Sequence, residues 1–422
     1  MPDVADDSAP KDSRFNPSRI PLSDAAQAIV ADVRGQLLNY ERYLHTRRRA
    51  RRAADQERFD LMVRAIVCDL MHATLVDPQG WRHVSLSKRH SATDGVGAWF
   101  MTADRIKIIQ WMASPEMRWL ELEKGRHVPY FGGEQTRIRA DWRLKVRMDE
   151  QGIGFEDIGH DPTLMGDPIV LKSEKVRKRA KSLPVPLGEP AESYRAEMLR
   201  INEALTQADV FCFPDSGSRE RDVGNRWMRR VFNNGRLDHG GRLYGGFWQG
   251  MSAELRVENI ELSGEQVVSL DFGQCGVRIA YGIAGAQPPE GDLYCVPGLE
   301  RFRDGVKMVL NSMLSSSEKL TRKPGGSAKH FTRHWSFRDI EERIFKHHHP
   351  IRDLCYTGLA WTLQYIESRI VIQAMLELLD KGISILPIHD CLLAPASTVT
   401  TVRETLMKSF KDITGVEGQI TI

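Results

Sequence analysis

Two short apolar runs, far apart in the chain and each ending in an acid, constrain this sequence more than any other feature. Gln266-Val267-Val268-Ser269-Leu270 reads as a strand that delivers Asp271 at its C-terminal end, followed by Phe272, Gly273, Gln274, Cys275, Gly276 and a helical stretch. Ile383-Ser384-Ile385-Leu386-Pro387-Ile388 reads as a second strand, with His389-Asp390 at a tight turn before the return strand Leu392-Leu393-Ala394. A carboxylate at a strand end can face a cleft while its strand stays buried. Two such carboxylates brought together repel unless a cation lies between them. A pair of Mg²⁺ or Mn²⁺ ions about 4 Å apart is what in-line phosphoryl transfer uses. Either aspartate alone is an ordinary turn former.

Between the runs lies Arg301 to Asn311. On a helix Arg303, Lys307, Asn311 and Ser315 recur every fourth residue and line one face, with Val306, Leu310 and Met313 inward. An Arg and a Lys one turn apart can grip a triphosphate, and Lys307 could protonate a leaving pyrophosphate. Alone, the pattern is equally an ordinary surface stripe.

The order of these pieces resembles the A, B and C motifs of family A DNA polymerases and of single-subunit phage-type RNA polymerases. The resemblance places the first motif's aspartate at Asp271, the second motif's Arg and Lys at Arg303 and Lys307, and the third motif at His389-Asp390 after a helix from about Tyr356 to Leu379. Asp238-His239-Gly240-Gly241-Arg242 matches the Asp-x-x-Gly-Arg element of the RNA polymerase branch, which contacts the template strand.

The resemblance implies an α+β right-hand fold: an antiparallel palm, small fingers and a reduced helical thumb. It also implies two Mg²⁺ (or Mn²⁺) ions held by Asp271, Asp390 and the Phe272 backbone, with a nucleic-acid template, DNA by expectation, and nucleoside triphosphates as partners. Arg303, Lys307, Asn311, Ser315 and Gly276 would line the nucleotide, while Asp238, Arg242 and His389 would touch nucleic acid. Catalysis would fall to Asp271, Asp390 and Lys307. Gly276 stands where the DNA polymerases carry a bulky Glu, leaving room for a ribose 2′-hydroxyl, although a strand-to-helix bend would also suit a glycine. Ser315 and Asn311 depart from the family pattern, which implies weak stacking on the incoming base. The implied activity is a DNA-dependent RNA polymerase or primase. The alternatives are a small DNA polymerase of a plasmid, phage or mobile element, and a non-catalytic DNA-binding regulator.

Residues 25–150 read as a helical nucleic-acid-binding domain, with a helix from Ala25 to Tyr43 running on into Arg47, Arg48, Arg49, Arg51 and Arg52. Two or three short helices follow from Phe59, one of them capped by Thr102. A hairpin comes next, with arms Arg118 to Glu123 and Thr136 to Lys145 and with Pro129 near its tip. Helices followed by a hairpin bearing Arg126, Arg137 and Arg139 fit a winged helix or a plain helical accessory domain.

The other boundaries are a flexible tail over 1–24, a basic linker over 151–190 (Lys172 to Lys181, with one strand at Ile169 to Lys172) and a thumb over 191–237. Palm segments follow at 238–290 and 357–422, with fingers at 291–356. The thumb expected from the helices over Glu192 to Val231 carries Arg219, Arg221, Arg226, Arg229, Arg230 and Arg236, all suited to a duplex backbone. Trp227 and Trp248 suit base stacking or core filling.

The 422 residues carry 59 Lys+Arg against 56 Asp+Glu, a net +3, so the total charge selects no partner. Six cysteines without paired short spacing fit neither a disulfide scaffold nor a zinc ribbon, and they point to a reducing cytoplasm. The polar start offers no secretory core, and the most apolar stretch, from Leu354, is broken by charges, so no membrane association is expected. His347-His348-His349 suits a phosphate-facing loop better than a metal, because adjacent residues cannot all face one ion. Glu367 is expected to orient template or primer, or to pair with Arg369 or a nearby base.

Overall fold

A computed structural model describes residues 13–45, 49–84, 86, 100, 103–128, 132–177, 180–213 and 222–422. The expected cap Thr102, the hairpin residue Pro129 and the arginines at 47, 48, 219 and 221 lie outside these residues. So do Lys178 and Arg179 of the basic stretch. The chain forms two compact units, 1–167 with 214–225, and 168–213 with 226–422, each around its own apolar core.

The first unit contains β1 (Ser13–Arg14), β2 (Arg19–Pro21), α1 (Asp24–Tyr43), α2 (Ala53–Val76), β3 (Arg82–His83), α3 (Ala103–Met112), β4 (Leu120–Glu123), β5 (His127–Val128), β6 (Gly132–Gly133), β7 (Arg137–Ala140), α4 (Trp142–Gln151) and β8 (Ile158–His160). Ser23 caps α1 by accepting from the Ala26 N–H, and Ala26, Ile29, Val33 and Leu37 form its buried stripe. The helix stops at Tyr43, and Arg49, Arg51 and Arg52 lie outside it. Arg51 instead pairs with Glu41 at 2.7 Å and covers the Phe59 ring.

Where short amphipathic helices were expected from Phe59, α2 is one long helix buried all round from Met62 to Ala73, with a single exception at Arg64. A helix without a polar face shows no clear period, which is why its length was not legible, whereas the helix expected from Ala103 is α3. Within the expected tail, Ser13–Arg14 and Arg19–Pro21 pair into sheets and Asp24 starts α1. Ser18 and Arg19 are buried, and Arg19 donates to the buried Asp69 at 2.9 Å. The expected hairpin is β4 against β7, shortened because Asp141 caps α4 immediately afterwards. Its arginines are occupied: Arg126 with Glu134, Arg137 with Glu123 and Arg139 with Glu121, the last two also over the Trp81 ring.

The second unit contains β9 (Ile169–Lys172), β10 (Ser182–Leu183), α5 (Ala191–Gln207), β11 (Val210–Cys212), β12 (Arg229–Phe232), β13 (Gly240–Tyr244), α6 (Ala253–Asn259), β14 (Ile260–Leu262), β15 (Glu265–Phe272), α7 (Cys275–Ile283), α8 (Arg303–Ser315), α9 (Phe337–His347), α10 (Ala360–Asp380), β16 (Leu386–Ile388), β17 (Cys391–Pro395), α11 (Val399–Thr414) and β18 (Ile420–Thr421). The class is mixed α+β. Its six-stranded sheet is antiparallel throughout, in the order β11-β14-β15-β17-β16, with β18 added beside the end of β15.

A four-stranded sheet, β10-β9-β12-β13, lies in the same unit and includes one parallel pair, β9 with β12. The stretch expected as a run of thumb helices holds one helix, α5, and then strands. Arg229 and Arg230 alternate along β12, so neither sits on a helix.

Candidate active site

Strand β15 places Asp271 by simple alternation. Leu270 and Phe272 turn into the core, and Asp271 between them turns out, exposed. Its register partner on β17 is Cys391, one residue after Asp390. Asp390 sits in the two-residue turn that joins β16 to β17, where Ile388 pairs with Cys391. The Phe272 N–H donates to the Asp390 carbonyl at 3.4 Å, tying the turn to the end of β15. The two expected acids therefore come together from opposite sides of one strand pair. Phe272 buries its ring against Phe410, leaving only its backbone at the site.

Electrostatics follow from that placement. Although Asp271 is exposed as a whole, partial desolvation of its carboxyl and then the charge of Asp390 push that carboxyl up to about 6, against the Phe272 N–H and Lys307. The shift marks a partly desolvated carboxylate with a second one beside it. Among the described residues no group of three or more His, Cys, Asp or Glu is placed to hold a metal. Two carboxylates still fit Mg²⁺, which keeps several waters and takes further oxygens from substrate phosphates.

His389 occupies the first turn position with φ 54, a left-handed conformation that costs an L residue about 1 kcal/mol or more. Its ring meets Tyr244 edge-on at 5.2 Å, and its buried Nδ1 has no hydrogen-bond partner among the described residues. Burial and the nearby Arg242 lower its basicity.

Arg242 is delivered by β13. Gly241 has φ 77, and a Cβ there would lie 2.8 Å from Ser368 Oγ, so only glycine lets this strand lie so close to α10. One residue on, Arg242 grips Glu367 of α10 with both prongs, at 2.6 and 2.8 Å. Of the pairings expected for Glu367, with Arg369 or a nearby base, the structure shows one with Arg242. Burial raises the Glu367 carboxyl, and Asp390 and Asp271 add to the rise against Arg242. Asp238 is spent on an exposed pair with Arg236.

Helix α8 carries the expected stripe. Arg303, Lys307 and Ser315 are exposed and Asn311 half-buried, over buried Val306, Leu310 and Met313. Lys307 lies near enough to Asp271 to lower its pKa. Arg303 is held by Asp292 and lies over the Tyr294 ring, and Tyr294 also bonds Asn311. Asp292 further accepts from Gln274 at 3.1 Å and from the Tyr294 N–H at 2.9 Å. Sequence reasoning missed Asp292, because an acid in an irregular loop shows no period.

Gly276 is the second residue of α7. A Cβ there would touch only Leu363, at an ordinary 3.8 Å, so packing does not require glycine.

Several expected residues lie elsewhere. Arg230 is fully buried against Glu197, Ser368 and the Gly241 carbonyl, over the Tyr194 ring, and burial lowers it to about 10; it presents nothing to a strand. Arg229 is half-buried and likewise lowered by desolvation. Trp248 is a core residue whose Nε1 donates to Pro387 O at 2.9 Å. His348 is buried between the Tyr281 hydroxyl and the Leu293 carbonyl, which removes it from any phosphate-facing loop.

No family model matches the chain, and no curated protein matches it. Among solved structures it is similar to the polymerase domain of Pol1 from M. smegmatis, determined with a DNA primer-template and dNTP. The TM-score is 0.32 at 11% identity, over 96% of this chain and 66% of that one. A likeness of that size carries no functional argument, so the reading below rests on the site. No helix among the described residues is long and apolar enough to cross a membrane.

Proposed function

We propose that the second unit is a template-directed nucleotidyl transferase that joins ribonucleotides on a DNA template, an RNA polymerase or primase. The observation that carries this reading is the meeting of Asp271 and Asp390 at adjoining strand ends, with Lys307 beside them and the Arg242–Glu367 pair behind. In this reading the six-stranded sheet is the palm, residues 291–356 are small fingers, and α5 with the strands after it replaces a helical thumb.

Asp271, Asp390 and the Phe272 carbonyl would hold two Mg²⁺ or Mn²⁺ ions. The ions would lower the pKa of the attacking 3′-hydroxyl and offset triphosphate charge. The chain's own residues do the rest. Arg303 and Lys307 draw the triphosphate along α8, and Lys307 gives a proton to the departing pyrophosphate oxygen. Arg242, fixed by Glu367, and His389, fixed by its turn, set the strand and primer end. Gly276 leaves the ribose face open, which favours ribonucleotides.

The test is extension of primed and unprimed templates by purified protein with Mg²⁺ or Mn²⁺ and either nucleotide set. Incorporation of ribonucleotides, lost in Asp390→Asn, is expected. A clear preference for deoxynucleotides would make the protein a small DNA polymerase. No incorporation of either, with DNA binding unchanged in Asp390→Asn, would leave a non-catalytic DNA-binding regulator.

A further inference from the structure

After α8 the chain runs from Lys319 to Arg338 with six Lys or Arg and no Asp or Glu. The cations are Lys319, Arg322, Lys323, Lys329, Arg333 and Arg338. In a chain balanced to +3 overall, this is a strong local excess. A run of like charge is commonly a loose solvated loop, but this one is anchored. Phe331 is buried with its ring on bare Gly305 of α8, where a Cβ would come within 2.4 Å of Cε2. Ser327 is buried and its hydroxyl donates to the Pro324 carbonyl at 2.8 Å. Lys323 lies over the Phe331 ring. The apolar anchors face α8, and the cations are left outside.

Half of them lack a hydrogen-bond or ion-pair partner among the described residues, although Arg338 acts on the adjacent Asp339. Lys319 reaches Glu341 at 3.6 Å, while the exposed side chains of Arg322, Lys329 and Arg333 have no hydrogen bond or ion pair among the described residues. Holding several unpaired cations on a fixed surface costs repulsion, which a polyanion would relieve with release of its counterions.

We propose that residues 319–338 form a nucleic-acid docking surface that grips the sugar–phosphate backbone of a strand beside the helix carrying Arg303 and Lys307. The proposal rests on the polymerase reading only for the identity of the polyanion. Phosphate spacing, not base identity, is what these groups recognise, so binding is independent of sequence.

The experiment is fluorescence anisotropy with labelled single-stranded and duplex DNA over a series of KCl concentrations. It compares the full-length protein, the triple variant Arg322→Ala/Lys329→Ala/Arg333→Ala, the milder single Lys329→Glu, and a remote control, Lys408→Ala. The triple variant should weaken binding by about 10-fold or more near 0.1 M salt. It should flatten the slope of log K against log salt by about 2 for a single strand, or nearer 3 for a duplex. Which arm loses affinity tells which form of the backbone docks. The three side chains are exposed and make no hydrogen bond or ion pair among the described residues, so thermal midpoints should stay within about 2 °C; should the triple variant misfold, Lys329→Glu carries the test. Unchanged affinity and slope in the variants, with wild-type binding intact, overturns the surface and leaves the active-site reading standing. No wild-type binding to either DNA overturns the surface as well. Binding through these residues without any nucleotide incorporation overturns the polymerase reading alone.

Discussion

Arg242 and Glu367 hold each other through two parallel hydrogen bonds, Nε to Oε1 at 2.6 Å and Nη2 to Oε2 at 2.8 Å, with the Glu367 side chain 7% exposed and that of Arg242 25%. Removing one partner of such a pair leaves the other desolvated and unmatched. Glu367→Ala should therefore lower unfolding stability by about 3 kcal/mol, the low end for a buried pair because Arg242 keeps some water. Glu367→Gln should cost about half of that, since one acceptor remains. Denaturant midpoints of the single variants and of Arg242→Ala/Glu367→Ala test this. Additive losses in the double variant would show that the two side chains are not coupled.

Asp271 shows a conflict between stability and chemistry. Its carboxyl, pushed up to about 6 by burial and by Asp390, is an unfavourable anion in the metal-free protein at neutral pH. Asp271→Asn removes the repulsion, so the metal-free variant should melt higher than wild type at pH 7.5. Added Mg²⁺ should raise the wild-type midpoint and leave the variant unmoved. A Mg²⁺ shift that survives the substitution would place the ion elsewhere.

Much of this site was legible because its signals are local. Strand patterns mark β15 and the β16–β17 turn, and the four-residue recurrence of Arg303, Lys307 and Asn311 marks α8. What failed is what tertiary packing decides. Nothing in the order of residues shows that Arg230 points inward on β12 while Arg242 on β13 points at Glu367, because alternation gives a period and not a sign. The basic residues near the hairpin read as phosphate contacts because their carboxylate partners, such as Glu121 and Glu123, lie across a strand pair.

Gly276 separates a packing role from a substrate role. Since a Cβ there meets only Leu363 at 3.8 Å, Gly276→Ala should stabilise the fold by about 0.5–1 kcal/mol through helix propensity. If the open face serves a ribose, the same change should lower ribonucleotide use and spare deoxynucleotides, and Gly276→Glu should do so more strongly. Competition between the two nucleotide sets on one template reads the ratio. Equal loss of both would mean that the helix start, not the sugar, feels the change.

His348 should make the protein acid-sensitive through a group outside the proposed catalytic set. Burial, then the neighbouring His347, lowers its pKa from the ordinary 6.5 to about 4, against a small rise from the Leu293 carbonyl. A histidine with a depressed folded pKa contributes stability that is full above the unfolded value and lost as pH falls through the folded one. The loss should start below pH 6.5 and be nearly complete at about 4, amounting to roughly 3 kcal/mol. His348→Gln should be less stable at pH 7.5, having lost part of the bonding to Tyr281 and Leu293, but should show a flatter stability profile between pH 6.5 and 4. Urea midpoints across that range measure both; equal slopes would remove His348 as the sensor.

Asp292 restrains the residue proposed to receive the triphosphate. It pairs with Arg303 through one oxygen, while the other accepts from Gln274 and the Tyr294 N–H, so the loop after α7 and the start of α8 share one carboxylate. Gln274, at φ 60, returns the link by accepting from the Leu293 N–H at 3.1 Å. An incoming triphosphate must then compete with Asp292 for the guanidinium. Asp292→Asn keeps an acceptor for Gln274 and Tyr294 and removes the charge facing Arg303. It should lower the nucleotide KM by about threefold with little change in kcat, whereas Arg303→Ala should raise KM by about tenfold or more. A rise in KM for Asp292→Asn that matches Arg303→Ala would reverse the assignment, making Asp292 the group that aims Arg303 at its substrate.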